Sequence, residues 1–224
     1  KVISSSSDFT TALSAGGRYR VVNDLTVNTA TTFTGTDSKH LVIDFAGYKL
    51  NTNLSAAPLI TLTNSLKEAV TNITAITNTT EDWSQGAGQN TDVTTLTAAG
   101  HSCSVGDVVK VFDDTLLPNQ HVSGERIGEF AVVGAISGND ITLTRKLIET
   151  YSTGSNARVC RMSDSVVEIS NLEVVSTSSD TGNSGIKMSG FINPKISAVK
   201  TKDLKGPGII LESCYIPVVN GYLL

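Results

Sequence analysis

Apolar and polar residues alternate over short stretches along most of the chain, which is the pattern of half-buried β-strands. Residues 19–27, 41–45 and 59–63 are three such stretches, and threonine, asparagine and glycine residues separate them. Valine and isoleucine together number 38 against 18 leucines, and this excess of β-branched residues favours strands over helices. We therefore predict an all-β fold.

A helical pattern is present at the start of the chain. Phe9, Ala12 and Leu13 have the spacing that places apolar side chains on one face of a helix. Ser7 can cap the beginning of this helix, and Gly16 can end it. The pattern predicts a short amphipathic helix that covers the first strands.

The segments around Ile186 and Ile209 repeat each other at a constant offset. The matching positions are Gly185 with Gly208, Ile186 with Ile209, Met188 with Leu211, and Pro194 with Pro217. A second, shorter offset also aligns Val167 with Ile186, and residues 60–66 have the same form. The shared unit is two apolar residues two positions apart, a small polar residue, and then Asn, Gly or Ser.

This repeat predicts a coil of short strands. Apolar residues two apart point to the same side of a strand, and the chain can bend at Asn64, Asn171 and Gly190, which tolerate a left-handed backbone. Successive coils would stack in parallel at about 4.8 Å as a parallel β-solenoid. Its predicted core contains Ile60, Leu62, Val167, Ile169, Ile186, Met188, Ile209 and Leu211. A β-sandwich is the alternative, but its turns recur every 8–12 residues or so.

The pattern changes in the middle of the chain. Residues 79–92 are polar and glycine-rich, and short alternating strands follow, with a hairpin around residues 137–140. We therefore expect the first coils in residues 1–77, an inserted small antiparallel β-barrel or sandwich in residues 78–163, and further coils in residues 164–224. An insertion into a loop of a solenoid costs little closure entropy.

Charge and composition exclude several classes of function. The net charge is −4, the isoelectric point is near 5.3 and no basic patch is evident, so nucleic acid is not an expected partner. No apolar run reaches the ~18 residues of a membrane span, so membrane insertion is not expected. His40, His101 and His121 share no metal-ligand spacing, and no phosphate-binding loop is present. We expect neither a metal nor another cofactor.

Asp180 and Asp203 are the candidate catalytic residues. Their separation equals the offset between Gly185 and Gly208, so they are expected in the same loop of successive coils. Stacked carboxylates would be about 5 Å apart, near the separation in a retaining glycosidase, and their repulsion would raise one pKa. The alternative is that they decorate a surface loop, where Lys200, Lys202 and Lys205 can neutralise Asp203.

Four other acidic residues are weaker candidates for an acid–base pair. They are Asp113, Asp114, Glu125 and Glu129. All of them fall in or beside a polar stretch of the insertion, where a solvated loop with ordinary ion pairs is the simpler interpretation.

The opening helix, the strand at residues 19–27 and the segment at residues 41–50 resemble the start of right-handed β-helix proteins of the pectate-lyase superfamily. The insertion, with residues 101–111 and 141–144, resembles the small β-domain that interrupts the first coils of many bacteriophage tailspikes. This resemblance implies a homotrimeric virion tail protein, assembled in the host cytoplasm and joined to other tail proteins. It also implies binding, and often cleavage, of host-surface polysaccharide during host attachment.

The expected function is thus the N-terminal part of a tailspike, acting as stem and receptor-binding module. Residues 221–224 end on apolar positions inside a coil, so we expect further coils to follow. Two alternatives stay open: a polysaccharide depolymerase, either hydrolase or lyase, acting through carboxylates on the β-helix, and a bacterial β-solenoid adhesin.

Overall fold

The computed structural model describes residues 1–54, 57–64, 70–82, 90–116, 126–177 and 184–221. The chain divides into two compact units, of which unit 1 comprises Lys1–Ser65 with Ser163–Leu224 and unit 2 comprises Leu66–Met162. The first boundary therefore lies earlier in the chain than the predicted one at residue 77. The reason is that the strands following residue 69 pair within unit 2.

Helix α1 of unit 1, Ser6–Ala15, buries Phe9, Ala12 and Leu13 as predicted. The residue that caps it is Ser5 and not Ser7, since the Ser5 hydroxyl accepts the N–H of Asp8 at 3.1 Å. Gly16 ends the helix at a φ of 70°. No helix in the described part of the chain is long and apolar enough to cross a bilayer.

The strands of unit 1 form two sheets in which every described pair is parallel. The first sheet contains β1 (Val2–Ile3), β2 (Gly17–Val21), β3 (Leu25–Thr26), β5 (Leu41–Asp44), β6 (Lys49–Thr52), β15 (Val167–Ser176), β17 (Lys195–Lys202) and β19 (Val218–Asn220). The second sheet contains β4 (Thr31–Gly35), β7 (Pro58–Asn64), β16 (Ser184–Ser189) and β18 (Ile209–Glu212).

From β3 onward the chain of unit 1 passes repeatedly from the first sheet to the second and back, and strands of one coil pair with those of the next. Ile186 pairs with Ile209 and also with Ile60, so the main offset of the sequence repeat is a true register. The alignment of Val167 with Ile186 is wrong, because β15 belongs to the first sheet and β16 to the second. Parallel pairing at a coil-length offset fits a parallel β-helix.

One apolar core fills unit 1 and takes side chains from both sheets and from α1. Six of the eight predicted core residues are fully buried, namely Ile60, Leu62, Val167, Ile169, Ile186 and Met188. Ile209 and Leu211 are only half-buried, although they pack against the same core. They belong to β18, which is the edge of the second sheet among the described strands and so lacks a covering neighbour.

Unit 2 is a single antiparallel sheet of seven described strands with its own apolar core. The spatial order is β8-β14-β11-β12-β13-β10-β9. The strands are β8 (Val70–Asn72), β9 (Ala75–Asp82), β10 (Asn90–Thr97), β11 (Val108–Leu116), β12 (Arg126–Ser137), β13 (Asp140–Leu143) and β14 (Arg158–Arg161). The predicted hairpin is present, with Ser137 opposite Asp140.

Candidate functional site

A groove of about 420 Å³ opens on the outward side of the first sheet, where its strands turn a corner. We call it the corner groove, and it is lined by Arg20, Asp44, Ala46, Gly47, Asn171, Leu172, Glu173, Ala198 and Lys200. These residues come from four successive coils, whose strands in the first sheet are β2, β5, β15 and β17.

The corner exists because one residue per coil adopts a left-handed backbone. Asn171, Ala198 and Gly221 have φ values of 54°, 51° and 63°. They follow Ser170, Ser197 and Asn220, which stack in register, so the three bends also stack. Asparagine and glycine tolerate this conformation well, which is why the sequence repeat has them at such positions.

A tight turn forms one wall of the corner groove. β5 and β6 both pair with β15, and Phe45 to Tyr48 connect them through a turn closed by the Tyr48 N–H on the Phe45 carbonyl at 2.8 Å. Ala46 and Gly47 both have positive φ, 53° and 87°, as in a type I′ turn. Holding an alanine there costs about 1–2 kcal/mol, so the surrounding contacts must support the turn.

Asp44 supplies that support and is the best-defined carboxylate of the groove. Its Oδ1 accepts the N–H of Ala46 and the side-chain amide of Asn171, both at 2.9 Å. The Asn171 hydrogen bond, the Ala46 hydrogen bond and the charge of Arg20 together lower the pKa of Asp44 from its ordinary value. Asp44 is therefore an ionised acceptor with a fixed orientation.

The charges of the other outward side chains alternate in sign from one strand of the first sheet to the next. Glu173 lies between Lys49 and Lys200 in register, and its carboxylate is 3.8 Å from the Lys49 ammonium. Among the described residues, no hydrogen bond or ion pair engages the Lys200 ammonium, and Arg20 acts on Asp44 only through its charge. The groove thus offers a fixed acceptor and available cationic donors on neighbouring strands.

This combination suits a hydroxyl-rich ligand better than an apolar one. Sugar hydroxyls donate to carboxylates and accept from ammonium and guanidinium groups, and charge-assisted bonds of this kind are the stronger ones. The groove is open to solvent and lined by both polar and apolar atoms, so a polymer can lie across it.

Only one of the two predicted catalytic residues lies in the described part of the chain. Asp203 is exposed and follows β17 directly, with a φ of 60°, whereas Asp180 lies outside the described residues. Their loops connect β15 to β16 and β17 to β18, which are adjacent levels of the coil. Ser170 pairs with Ser197 on the first sheet, and Ile186 pairs with Ile209 on the second. More residues therefore connect the two sheets in the earlier coil than in the later one.

The acidic residues of unit 2 have structural roles. Asp113 is fully buried in β11 and accepts the N–H groups of Thr115 and Ser152, so it does not lie in a solvated loop as expected. Asp114, also in β11, pairs with Arg126 and Arg158.

Glu129 lies in β12 rather than in a loop. Its carboxylate accepts the N–H groups of Ile148 and Glu149 and pairs with Arg145 at 3.3 Å. Glu125, the fourth acidic candidate, is outside the described residues.

The histidines described also serve the backbone. His101 Nδ1 accepts the N–H of Cys103 at 3.2 Å, and His40 Nδ1 accepts the N–H of Val166 at 2.9 Å. Within the described residues, no group of three or more His, Cys, Asp or Glu side chains is placed to hold a metal ion.

Sequence reasoning did not find the corner groove. Its charged residues are far apart in the chain, because the step from Asp44 to its partner Ser170 spans the whole insertion. The available signal was the outward polar position in each short strand, since Glu173 and Lys200 occupy equivalent positions of successive coils and stack directly.

Comparison with solved structures identifies the fold. The tailspike protein gp49 from Pseudomonas phage LKA1 matches 92% of this chain and 33% of its own length, with a TM-score of 0.68 and 19% identity. The Gp54 tailspike of Acinetobacter baumannii bacteriophage AP22, solved with A. baumannii capsular saccharide, matches 97% of this chain and 43% of its own, with a TM-score of 0.51 and 14% identity. No protein-family profile matches the sequence.

The chain therefore has a tailspike-like fold, as its resemblance to that family predicted. It spans less than half the length of the tailspikes it matches.

Proposed function

We propose that this chain is the N-terminal part of a bacteriophage tailspike and binds host-surface polysaccharide in the corner groove. In this proposal unit 1 is a right-handed parallel β-helix, and unit 2 is a domain inserted between two of its coils. The protein is a homotrimer in the virion tail, assembled in the host cytoplasm and attached to other tail proteins. The tailspike-like fold and the polar groove on its first sheet support this assignment.

The observation that carries the proposal is the arrangement of fixed acceptor and available donor in one groove. Asp44 is held by Ala46 and Asn171, so its carboxylate is oriented before any ligand arrives. Lys200 lines the same groove in register with Glu173, and no described residue forms a hydrogen bond or ion pair with its ammonium. A preorganised site of this kind loses little entropy when a polymer binds.

Binding assays on matched variants test the proposal. The chain is immobilised and exposed to a panel of purified bacterial capsular and lipopolysaccharide O-chain polysaccharides. For a polysaccharide that binds, Lys200→Ala should weaken binding about tenfold or more, which is the loss expected for one charge-assisted contact. Lys187→Ala is the control, because Lys187 lies on the second sheet and pairs with Glu212. Equal affinity of both variants would reject the corner groove as the binding site.

Depolymerase activity is a second candidate, favoured by the presence of Asp44 and Glu173 in one groove and by the exposed Asp203. We propose that the stem role dominates and that Asp180 and Asp203 do not form a catalytic pair. Asp180→Asn and Asp203→Asn in the full-length protein should leave depolymerisation nearly intact. A thousandfold loss on either substitution would instead assign cleavage to these two carboxylates.

A further inference from the structure

A second groove, of about 470 Å³, borders the same strands as the corner groove. It lies between the end of α1 and the outward sides of β2 and β5, and we call it the helix-end groove. Its lining includes Arg18, Ser38, Lys39, His40, Val42 and Val166, and among the described residues no acidic side chain lines it.

The two grooves are neighbours along the strands. Arg18 and Arg20 are both exposed and point outward from β2, two positions apart, and they stand in register with Val42 and Asp44 of β5. Arg18 and Val42 line the helix-end groove, while Arg20 and Asp44 line the corner groove. Two positions along a strand span about 6.6 Å, so the two grooves are adjacent segments of one surface track.

The helix-end groove presents donors without acidic acceptors. Within the described residues, the Arg18 guanidinium has no hydrogen bond or ion pair. His40 Nδ1 already accepts the N–H of Val166, so in the neutral ring the proton resides on Nε2, which is then a donor. Ser38 adds a hydroxyl, and the Val42 and Val166 side chains add apolar surface.

Chemistry therefore differs between the two ends of the track. The corner groove contains the carboxylates of Asp44 and Glu173, which accept from neutral hydroxyls and repel an anionic group. The helix-end groove contains a guanidinium, whose planar fork matches a carboxylate in a bidentate way. The helix-end groove therefore favours an acidic sugar more than the corner groove does, where Arg20 and Lys200 stand in register beside the carboxylates of Asp44 and Glu173, and this difference gives the bound polymer a direction.

We propose that the polysaccharide runs along β2 and β5 through both grooves, and that the sugar residue in the helix-end groove carries a carboxylate bound by Arg18. This inference rests on the proposed function and adds the chemical class of the ligand to it. His40 then donates from Nε2 to the same sugar.

The test uses purified bacterial surface polysaccharides in native form and after carbodiimide-borohydride reduction of their carboxyl groups. Polysaccharides whose only acidic groups are phosphates form a separate arm. We expect reduction to weaken binding about ten- to a hundredfold, the range for loss of a hydrogen bond between charged groups. Arg18→Gln should weaken binding of the native polymer to the same extent and leave binding of the reduced polymer unchanged. Lys187→Gln, on the second sheet, should change neither.

The results separate this inference from the proposed function. Equal binding of native and reduced polymers would overturn the carboxylate assignment while polysaccharide binding still stood. Dependence on Arg18 only in the phosphate arm would overturn it as well. Failure of every polysaccharide in the panel to bind would reject the proposed function itself, and the inference with it.

Discussion

Asn171 combines two roles in one residue, because it bends the strand and also orients a carboxylate. Its φ of 54° makes the corner, and its amide donates to Asp44 at 2.9 Å. Glycine can replace the first role but not the second. Substitution by glycine therefore separates the backbone contribution from the electrostatic one.

We expect Asn171→Gly to raise the pKa of Asp44 toward its ordinary value, because the largest cause of its lowering is removed. A carboxyl ¹³C titration by NMR measures this directly. Asn193→Gly is the control, since Asn193 also has a left-handed φ, 50°, but is not among the causes of the lowered pKa of Asp44. An unchanged Asp44 titration in Asn171→Gly would contradict the account.

The same hydrogen bond makes folding stability depend on pH. A carboxyl whose folded pKa is lowered stabilises the protein above its unfolded pKa, near 3.9, and this contribution is lost as pH falls through the folded pKa. The stability deficit of Asn171→Gly relative to the wild type should therefore be largest above about pH 4. It should shrink on acidification below that range.

At the scale of elements, the close approach of successive coils explains the glycine at position 185 of the repeat. Gly185 and Gly208 face each other between β16 and β18, and a Cβ at Gly185 would lie 2.5 Å from the Gly208 carbonyl oxygen. No positive φ is involved at Gly185, so the requirement is space and not backbone conformation.

Gly185→Ala should destabilise unit 1 by about 1–3 kcal/mol, the usual cost of forcing extra volume into a packed position. Chemical denaturation monitored by circular dichroism measures it. Gly154→Ala serves as the comparison, because a Cβ there would meet only the Ser152 hydroxyl at 3.4 Å. Equal stability of the two variants would show that the coils do not approach as closely as described.

The elements also show how far sequence reasoning extends. The pairing of Ile186 with Ile209 was predictable, because equivalent strands of successive coils carry the same apolar spacing. Val167 was misaligned with Ile186 because strands on both sheets point apolar residues into one core and so have the same pattern. Periodicity identifies inward positions but does not distinguish which side of the coil a strand occupies. The corner groove depends on that distinction, and therefore only the structure revealed it.

At the scale of the whole molecule, the two segments of unit 1 that flank unit 2 in the sequence lie close together within unit 1. The Asn64 amide donates to the Gly190 carbonyl at 2.6 Å, and Ser163 forms a parallel bridge with Phe191. Both segments are thus fixed beside consecutive residues of one coil. This arrangement favours unit 2 as an insertion that unit 1 does not need for folding.

Deleting residues 66–162 and joining Ser65 to Ser163 through a short glycine-serine linker should leave unit 1 folded. No described residue of the deleted segment belongs to the apolar core of unit 1, so a cooperative thermal transition should remain. Calorimetry of the shortened chain measures it. A broad, non-cooperative transition would show that unit 2 is integral to the fold.

In the proposed function, polysaccharide occupies the corner groove of unit 1. Chemical-shift mapping of the isotope-labelled chain, titrated with an oligosaccharide from a polysaccharide that it binds, tests this most directly. We expect the largest backbone amide shifts at residues that line the groove, namely Asp44, Ala46, Gly47, Asn171, Leu172, Glu173, Ala198 and Lys200. Shifts confined to unit 2, or to the second sheet of unit 1, would contradict it.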